Sequence, residues 1–161
     1  FLELLRYIPI VGFTIIFYNF FAIGFGMKAA MFTVGLTFFL TTSISSIIEA
    51  VPKMQYELAK SLNYSEWETF VATVVKPTMP YIIEALRQNA AMGWLMIVGI
   101  ETFNRTEGGI GAMLYIYSGS NQLNFVYAYL FLIAIIALIE DKLFKLLINV
   151  LFPYTKIKER G

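Results

Sequence analysis

The sequence predicts an all-α integral membrane protein: a bundle of about four spanning helices with a polar helix pair set between the second and third. Three observations carry this. Residues of the AVILMFWYC set make up 58% of the chain, charged residues only 14%, and the mean hydropathy is +0.69. A soluble domain holds about 25% charged residues, so this chain has too few to cover a water-facing surface. Uncharged stretches of spanning length recur, and the basic residues fall unevenly between the segments that join them.

The same composition excludes other classes. There is no Cys and no His, which removes disulfides, thiolate nucleophiles, and the commonest metal ligand and general base. A net charge of +1 gives no footprint for nucleic acid. No Gly is followed by Lys, so the phosphate-cradling loop of nucleotide hydrolases is missing. The chain begins at Phe1, without a basic n-region and cleavage site, and reads as a piece of a longer protein.

A span needs about 20 mostly apolar residues. Tyr7 to Met27 has no charge, although Pro9, Gly12 and Asn19 interrupt it, and Ala29 to Ile48 is a second uncharged stretch closed by Glu49. Gly24, Gly26 and Lys28 predict a short turn between the two. The third stretch, Gln88 to Ile100, reaches spanning length if its helix begins near Tyr81 and carries Glu84 and Arg87 at the membrane boundary. The fourth runs from Phe125 to Ile139 and onward, with Glu140, Asp141, Lys142 and Lys145 at its polar end; Asp141 and Lys145 have the favourable i,i+4 spacing. Four spans put Arg6, Lys53, Lys60, Lys76, Arg87, Lys142, Lys145, Lys156, Lys158 and Arg160 on one side and only Lys28 and Arg105 on the other. By the positive-inside rule the segment 52–80 and the C-terminus are cytoplasmic.

Segment 52–80 predicts two short helices. Pro52 suits a first turn, Lys53 to Leu62 is helical with Met54, Leu58 and Leu62 on one stripe, and Asn63 is a left-handed stop. Ser65 with Glu68 is a capping box for the second helix, whose apolar residues are Trp67, Phe70, Val71 and Val74; Pro77 and Pro80 end it and begin the third span. The pattern fits either an amphipathic connector lying on the bilayer or a rigid docking element for a cytoplasmic partner. Thr42 and Ser46 belong to a polar end of the second span, where back-bonding to the helix competes with a role on a solute pathway. Asn19 in mid-span should face a helix or the pathway. Glu101 is a gate, a packing residue paired with Arg105, or a rim residue, and Gly108, Gly109 and Gly111 predict a turn in an external re-entrant loop. The Trp and Tyr residues read as interface anchors.

Glu57-Leu58-Ala59-Lys60-Ser61-Leu62-Asn63, followed by Trp67, Phe70 and Pro80, resembles the EAA loop of ABC-importer permeases. The flanks agree: Arg6-Tyr7-Ile8-Pro9 through Gly24-Phe25-Gly26, then Ala85-Leu86-Arg87, Trp94, Glu101 and Gly109-Ile110-Gly111, look like the nitrate/sulfonate/taurine branch. The resemblance covers nearly the whole chain, with its motifs in order. Leu58 departs from the pattern's first Ala after Glu, Asn63 stands for its Gly, and Val75-Lys76 for its Leu-Pro, with the proline displaced to Pro77 and Pro80 in register.

The resemblance implies a type I importer-like permease domain over residues 1–161, with one or two further spans before Phe1. It implies an ATPase-coupling helix built from Glu57, Leu58, Ala59, Lys60, Leu62, Asn63 and Trp67, with Pro77 and Pro80 at the loop-to-span turn. Glu101, Asn19, Thr42 and Ser46 remain pathway or gate candidates. The implied partners are an ABC ATPase subunit that binds the ATP and Mg, a second permease copy in a homodimer, an extracytoplasmic solute-binding protein, and membrane lipid. This chain itself would hold no cofactor and catalyse nothing, and its setting would be the inner membrane. The branch handles nitrate, sulfonates, taurine and cofactor precursors; no basic cluster in the spans argues for an anion. The rival class is a scaffold or channel-like subunit whose 52–80 loop binds lipid or a non-ATPase partner.

Overall fold

The computed structural model describes Leu4 and residues 7–154, and all regular structure among them is helical. Arg6, Lys156, Lys158 and Arg160, which contribute to the charge asymmetry, lie outside the described residues. A 3-10 turn, Ile10–Phe13, leads into α1 (Thr14–Phe21). The long α2 (Phe25–Glu49) is followed by the short α3 (Lys53–Ser61) and α4 (Glu66–Phe70). A π-helical turn, Val71–Val75, joins α4 to α5 (Lys76–Phe103); α6 (Ile110–Gly119) and α7 (Leu123–Leu151) complete the fold. Among the described residues, α2 and α7 are long and apolar enough to cross a membrane.

The centre of the bundle is the antiparallel pair α2 and α5. Asn104 meets Gly24 and Met27 at one end, Gly35 meets Met96 midway, and Asn89 donates to Ser43 at 3.1 Å toward the other. Met27, Met31, Ile100 and Ile10 form the buried core, with Val11, Phe17, Phe32, Val34 and Met96 packed on it. Small residues permit this approach: a Cβ on Gly35 would collide with the Met96 methyl and press on Ile10. Such close contact replaces the hydrophobic drive that lipid does not supply between helices. The chain of α7 runs back along α5, since Asp141 pairs with Arg87 while Leu151 and Phe152 lie near Val75 and Pro77.

Each expected apolar stretch carries a helix, but several bounds move. The Tyr7–Met27 span is helical only over Ile10–Phe21, about 18 Å at 1.5 Å per residue. The turn after it falls at Ala22–Gly24, not Gly24–Lys28, because Ala22 (φ 56°) and Gly24 (φ 155°) take the left-handed backbone. Gly26 and Lys28 lie inside α2, and Lys28 is buried with its ammonium donating to the Gly108 carbonyl at 2.7 Å.

Pro77 and Pro80 do not end a helix either. The backbone continues from α4 through the π turn into α5, with Pro77 in the first turn and Pro80 inside. The prolines withdraw N–H donors just where the helix has changed register. Thr73 and Thr78 hydroxyls donate to the Thr69 and Val74 carbonyls nearby, at 2.8 and 2.7 Å. Of the three glycines expected in a turn, Gly108 (φ 70°) and Gly109 (φ 122°) lie between helices, while Gly111 falls inside α6.

Replacing Gly35 by Ile should destabilise the α2–α5 pair by about 1–3 kcal/mol through overpacking. Gly26→Ala, whose Cβ meets nothing within 4 Å, should leave the thermal midpoint in detergent unchanged or raised; equal midpoints for both variants would contradict the packing described.

Candidate functional site

The pair α3–α4 is set by two local devices. At the end of α3, Asn63 takes φ 63°, its N–H donates to the Lys60 carbonyl, and the Tyr64 N–H reaches back to Ala59. This six-to-one closure satisfies the last carbonyls and turns the chain. At the start of α4, the Ser65 hydroxyl accepts from the Glu68 N–H, while the Glu68 carboxylate accepts from the Ser65 N–H at 2.9 Å, so both halves of the predicted capping box are present. Across the turn, Glu66 accepts from the Tyr56 hydroxyl at 3.1 Å and pairs with Lys60 at 3.1 Å. Hydrogen bonding to Glu66, reinforced by its charge, raises the Lys60 pKa, and the Lys60 hydrogen bond lowers that of Glu66.

These ties leave an apolar face uncovered. Met54 is 76% exposed, Leu58 and Leu62 each 60%, and Trp67 72%, with the Trp67 ring 5.8 Å from that of Phe70. Beside Trp67 lies a cleft of about 410 Å³ lined by Tyr64, Glu68, Val71, Ala72 and Lys76. Glu57 is exposed on the same short helix. Of the seven expected coupling residues, Ala59 stands apart: it is buried within the chain, and so supports the helix pair from inside. Lys60 and Asn63 hold the pair in shape, while Glu57, Leu58, Leu62 and Trp67 present it.

The opposite end of the bundle is a polar knot. The Glu101 carboxylate accepts the Gly111 N–H at 2.8 Å, and Thr102 donates to the Val98 and Gly111 carbonyls. Gly109 (φ 122°) lies against Glu101, and Gly111 lies against the Val98 carbonyl, so neither has room for a Cβ. Of the alternatives for Glu101, the pairing with Arg105 is not formed among the described residues. Because the chain leaves the helix at Asn104, Arg105 is carried away and rests over the Tyr115 ring, 4.1 Å from its centre.

The other pathway candidates are dispersed. Thr42 is buried and donates to the Phe39 carbonyl at 2.8 Å, and Ser46 donates to Thr42 at 3.1 Å, so both bond back to α2. Asn19 is exposed on α1. Sequence reasoning missed Lys28 and Asn104 as ties, and it missed the bond from the Trp94 indole to Glu140 at 2.8 Å. A lone Lys between two apolar runs was the one available signal. The Asp141–Lys145 pair forms as its spacing predicts, at 2.7 Å.

The chain is thus an all-helical bundle with helices long and apolar enough for a membrane, carrying at one end a capped helix pair whose apolar face is exposed. The chain belongs to the family of binding-protein-dependent transport system inner membrane components, whose family model matches residues 1–155. It is similar to a Methanocaldococcus jannaschii protein named as an ABC transporter permease, with 26% identity over 142 residues that cover 88% of this chain and 53% of that protein. It is also similar to a Bacillus subtilis protein named as an aliphatic sulfonates transport permease, with 24% identity over 147 residues, 91% of this chain and 52% of that protein. The chain spans about half the length of the curated relatives it matches. No solved structure gives a significant match.

Two outcomes follow from this geometry. Hydrogen bonds from Ser65 hold the Glu68 carboxyl below its ordinary value of 4.5. The cap therefore contributes fully above the unfolded-state value and is lost as pH falls through the lower folded one. An NMR titration of labelled Glu should place Glu68 below its ordinary value; a value at or above it would contradict the capping geometry. Thr69 is fully buried, and its hydroxyl has no partner among the described residues. Thr69→Val should therefore stabilise the chain by about 1 kcal/mol, where an ordinary buried hydroxyl would be missed; a lowered thermal midpoint would count against it.

Proposed function

We propose that this chain is the permease part of an ATP-driven importer for a small organic solute of the sulfonate kind, docking its ATPase through α3–α4. The observation that carries the reading is the uncovered stripe of Met54, Leu58, Leu62 and Trp67 on a helix pair whose connecting turn is capped on both sides. Exposed apolar patches rimmed by charge mark protein interaction sites, and rigid capping means little ordering is lost when a partner binds. The family supports the permease reading, and the name of the sulfonate relative is what supports the substrate class. On this reading α3–α4 is cytoplasmic, ATP and Mg belong to the partner ATPase, a second permease copy completes the pathway, and a solute-binding protein delivers to the opposite face.

The mechanism is one of differential contact. An ATPase that grips the pair differently in its open and closed states biases the permease between two conformations by that difference. The pair is suited to transmit the bias because α4 runs without a break into α5, so a displacement at Trp67 is delivered along a helix axis.

The test is purification of the full-length protein from mild detergent with mass spectrometry of its partners. We expect a stoichiometric nucleotide-binding ATPase, lost with Glu57→Lys or Leu58→Asp and kept with Gln55→Ala. Since Ala59 is buried, a charge there would disrupt the pair itself, and the exposed Leu58 makes the cleaner probe. Recovery of the protein with lipid alone, or retention of the ATPase by the Leu58 variant, would contradict the docking role.

A further inference from the structure

Of the long helices, α7 is the one that packing holds least. None of its residues from Leu123 to Leu151 is buried, whereas α2 and α5 share Met27, Met31 and Ile100. Lipid gives apolar helices no hydrophobic reason to associate, so the place of α7 rests on specific contacts. At the end nearest α6 these are ring stacks, with Tyr117 set 4.7 Å from Phe125 and 5.8 Å from Tyr129. Against α5, the polar ones converge on a single level of α7. Asp141 pairs with Arg87, whose guanidinium is also held by Glu84, and accepts Lys145 at 2.7 Å. The adjacent Glu140 accepts the Trp94 indole N–H at 2.8 Å. Arg87 and Trp94 stand two turns apart on one face of α5, and both reach to consecutive carboxylates of α7.

Room is left around this level. A cavity of about 300 Å³ lies between α2, α5 and α7, bordered by Phe32, Leu36, Gly93 and Phe144. A second, of about 590 Å³, separates the start of α5 from the end of α7, bordered by Pro77, Met79 and Leu151. Interdigitated side chains would prevent one helix from tilting on another. Hydrogen bonds that converge on one level of α7 hold that point while leaving the tilt of α7 free, and in a weakly solvated setting they resist being pulled apart.

We propose that Arg87–Asp141 and Trp94–Glu140 are a fulcrum, on which α7 rocks against the α2–α5 unit. Its use in transport rests on the permease reading; the joint itself does not. Arg87 and Trp94 are on this view positioning residues for the conformational change.

The test uses paired spin labels on the full-length protein in lipid nanodiscs without nucleotide, on introduced cysteines, this chain having none of its own. One pair, Ala91→Cys with Leu138→Cys, reports at the fulcrum; a second, Met79→Cys with Leu151→Cys, reports at the lower end. Distances at the lower end should be distributed at least about twofold more widely than at the fulcrum, the signature of tilt about a point. Trp94→Phe with Asp141→Ala should widen the fulcrum distribution to match, and Asp141→Glu should keep it narrow. Equal widths at both levels in the otherwise unaltered protein would overturn the proposal. So would a fulcrum that stays narrow in the doubly altered one. Both comparisons are made without a partner, so loss of the ATPase in purification would sink the permease reading and leave this result standing.

Discussion

A bilayer takes away the force that holds most folds together. Lipid tails are as apolar as Leu, so a helix gains little by hiding its apolar face against another helix. What remains is close packing where small residues allow it, and polar contacts where no water competes. This protein uses the two in different places. Gly35 lets α2 and α5 approach closely around the core of Met27, Met31 and Ile100. Elsewhere the joints are polar: Lys28 to Gly108, Glu101 to Gly111, Asn89 to Ser43, Arg87 to Asp141. The division separates a packed unit from the parts that are only fastened to it.

The second feature of consequence is continuity. Two prolines within four residues would ordinarily stop a helix, since each removes a donor and crowds the preceding turn. Here the π turn at Val71–Val75 changes the register immediately before Pro77, and Thr73 and Thr78 supply hydroxyl donors around it. The result is a helical path from Glu66 to Phe103 that begins in the exposed pair and ends in the polar knot. A π turn is a place where helices commonly serve function.

Local chemistry was legible in the sequence, and distant pairing was not. The capping box at Ser65 and Glu68, the left-handed Asn63, and the Asp141–Lys145 pair depend on residues within four positions of one another, and all three form. The stripe of Met54, Leu58 and Leu62 was equally plain, because period alone defines a helix face. Pro77 and Pro80 misled because their breaking effect was read without the π turn that absorbs it. The span Tyr7–Met27 misled because absence of charge was taken as continuity, while Ala22 and Gly24 turn the backbone inside it. Glu101 was singled out for its position, but its partner is a backbone N–H ten residues on, and no side-chain pattern announces such a bond. Ala59 belonged to the motif yet faces inward, since a helix only two and a half turns long must bury one side to be held at all.

The arrangement of polar joints constrains how a disturbance can travel. If a partner displaces Trp67, the motion passes along α5 and reaches the α2–α5 core, which is packed and moves as a piece. At the far end, Glu101 and Thr102 carry it into the start of α6 through the Gly111 backbone, because Gly109 and Gly111 lie too close for any slack. The remaining helix, α7, receives the same displacement at the level of Arg87 and Trp94, partway along its length, and at its upper end through the aromatic stack with α6. A helix driven at one fixed point and tethered at one end can answer an axial push only by tilting. The chemistry of the fastenings, more than the shape of any helix, therefore determines which part of this bundle moves.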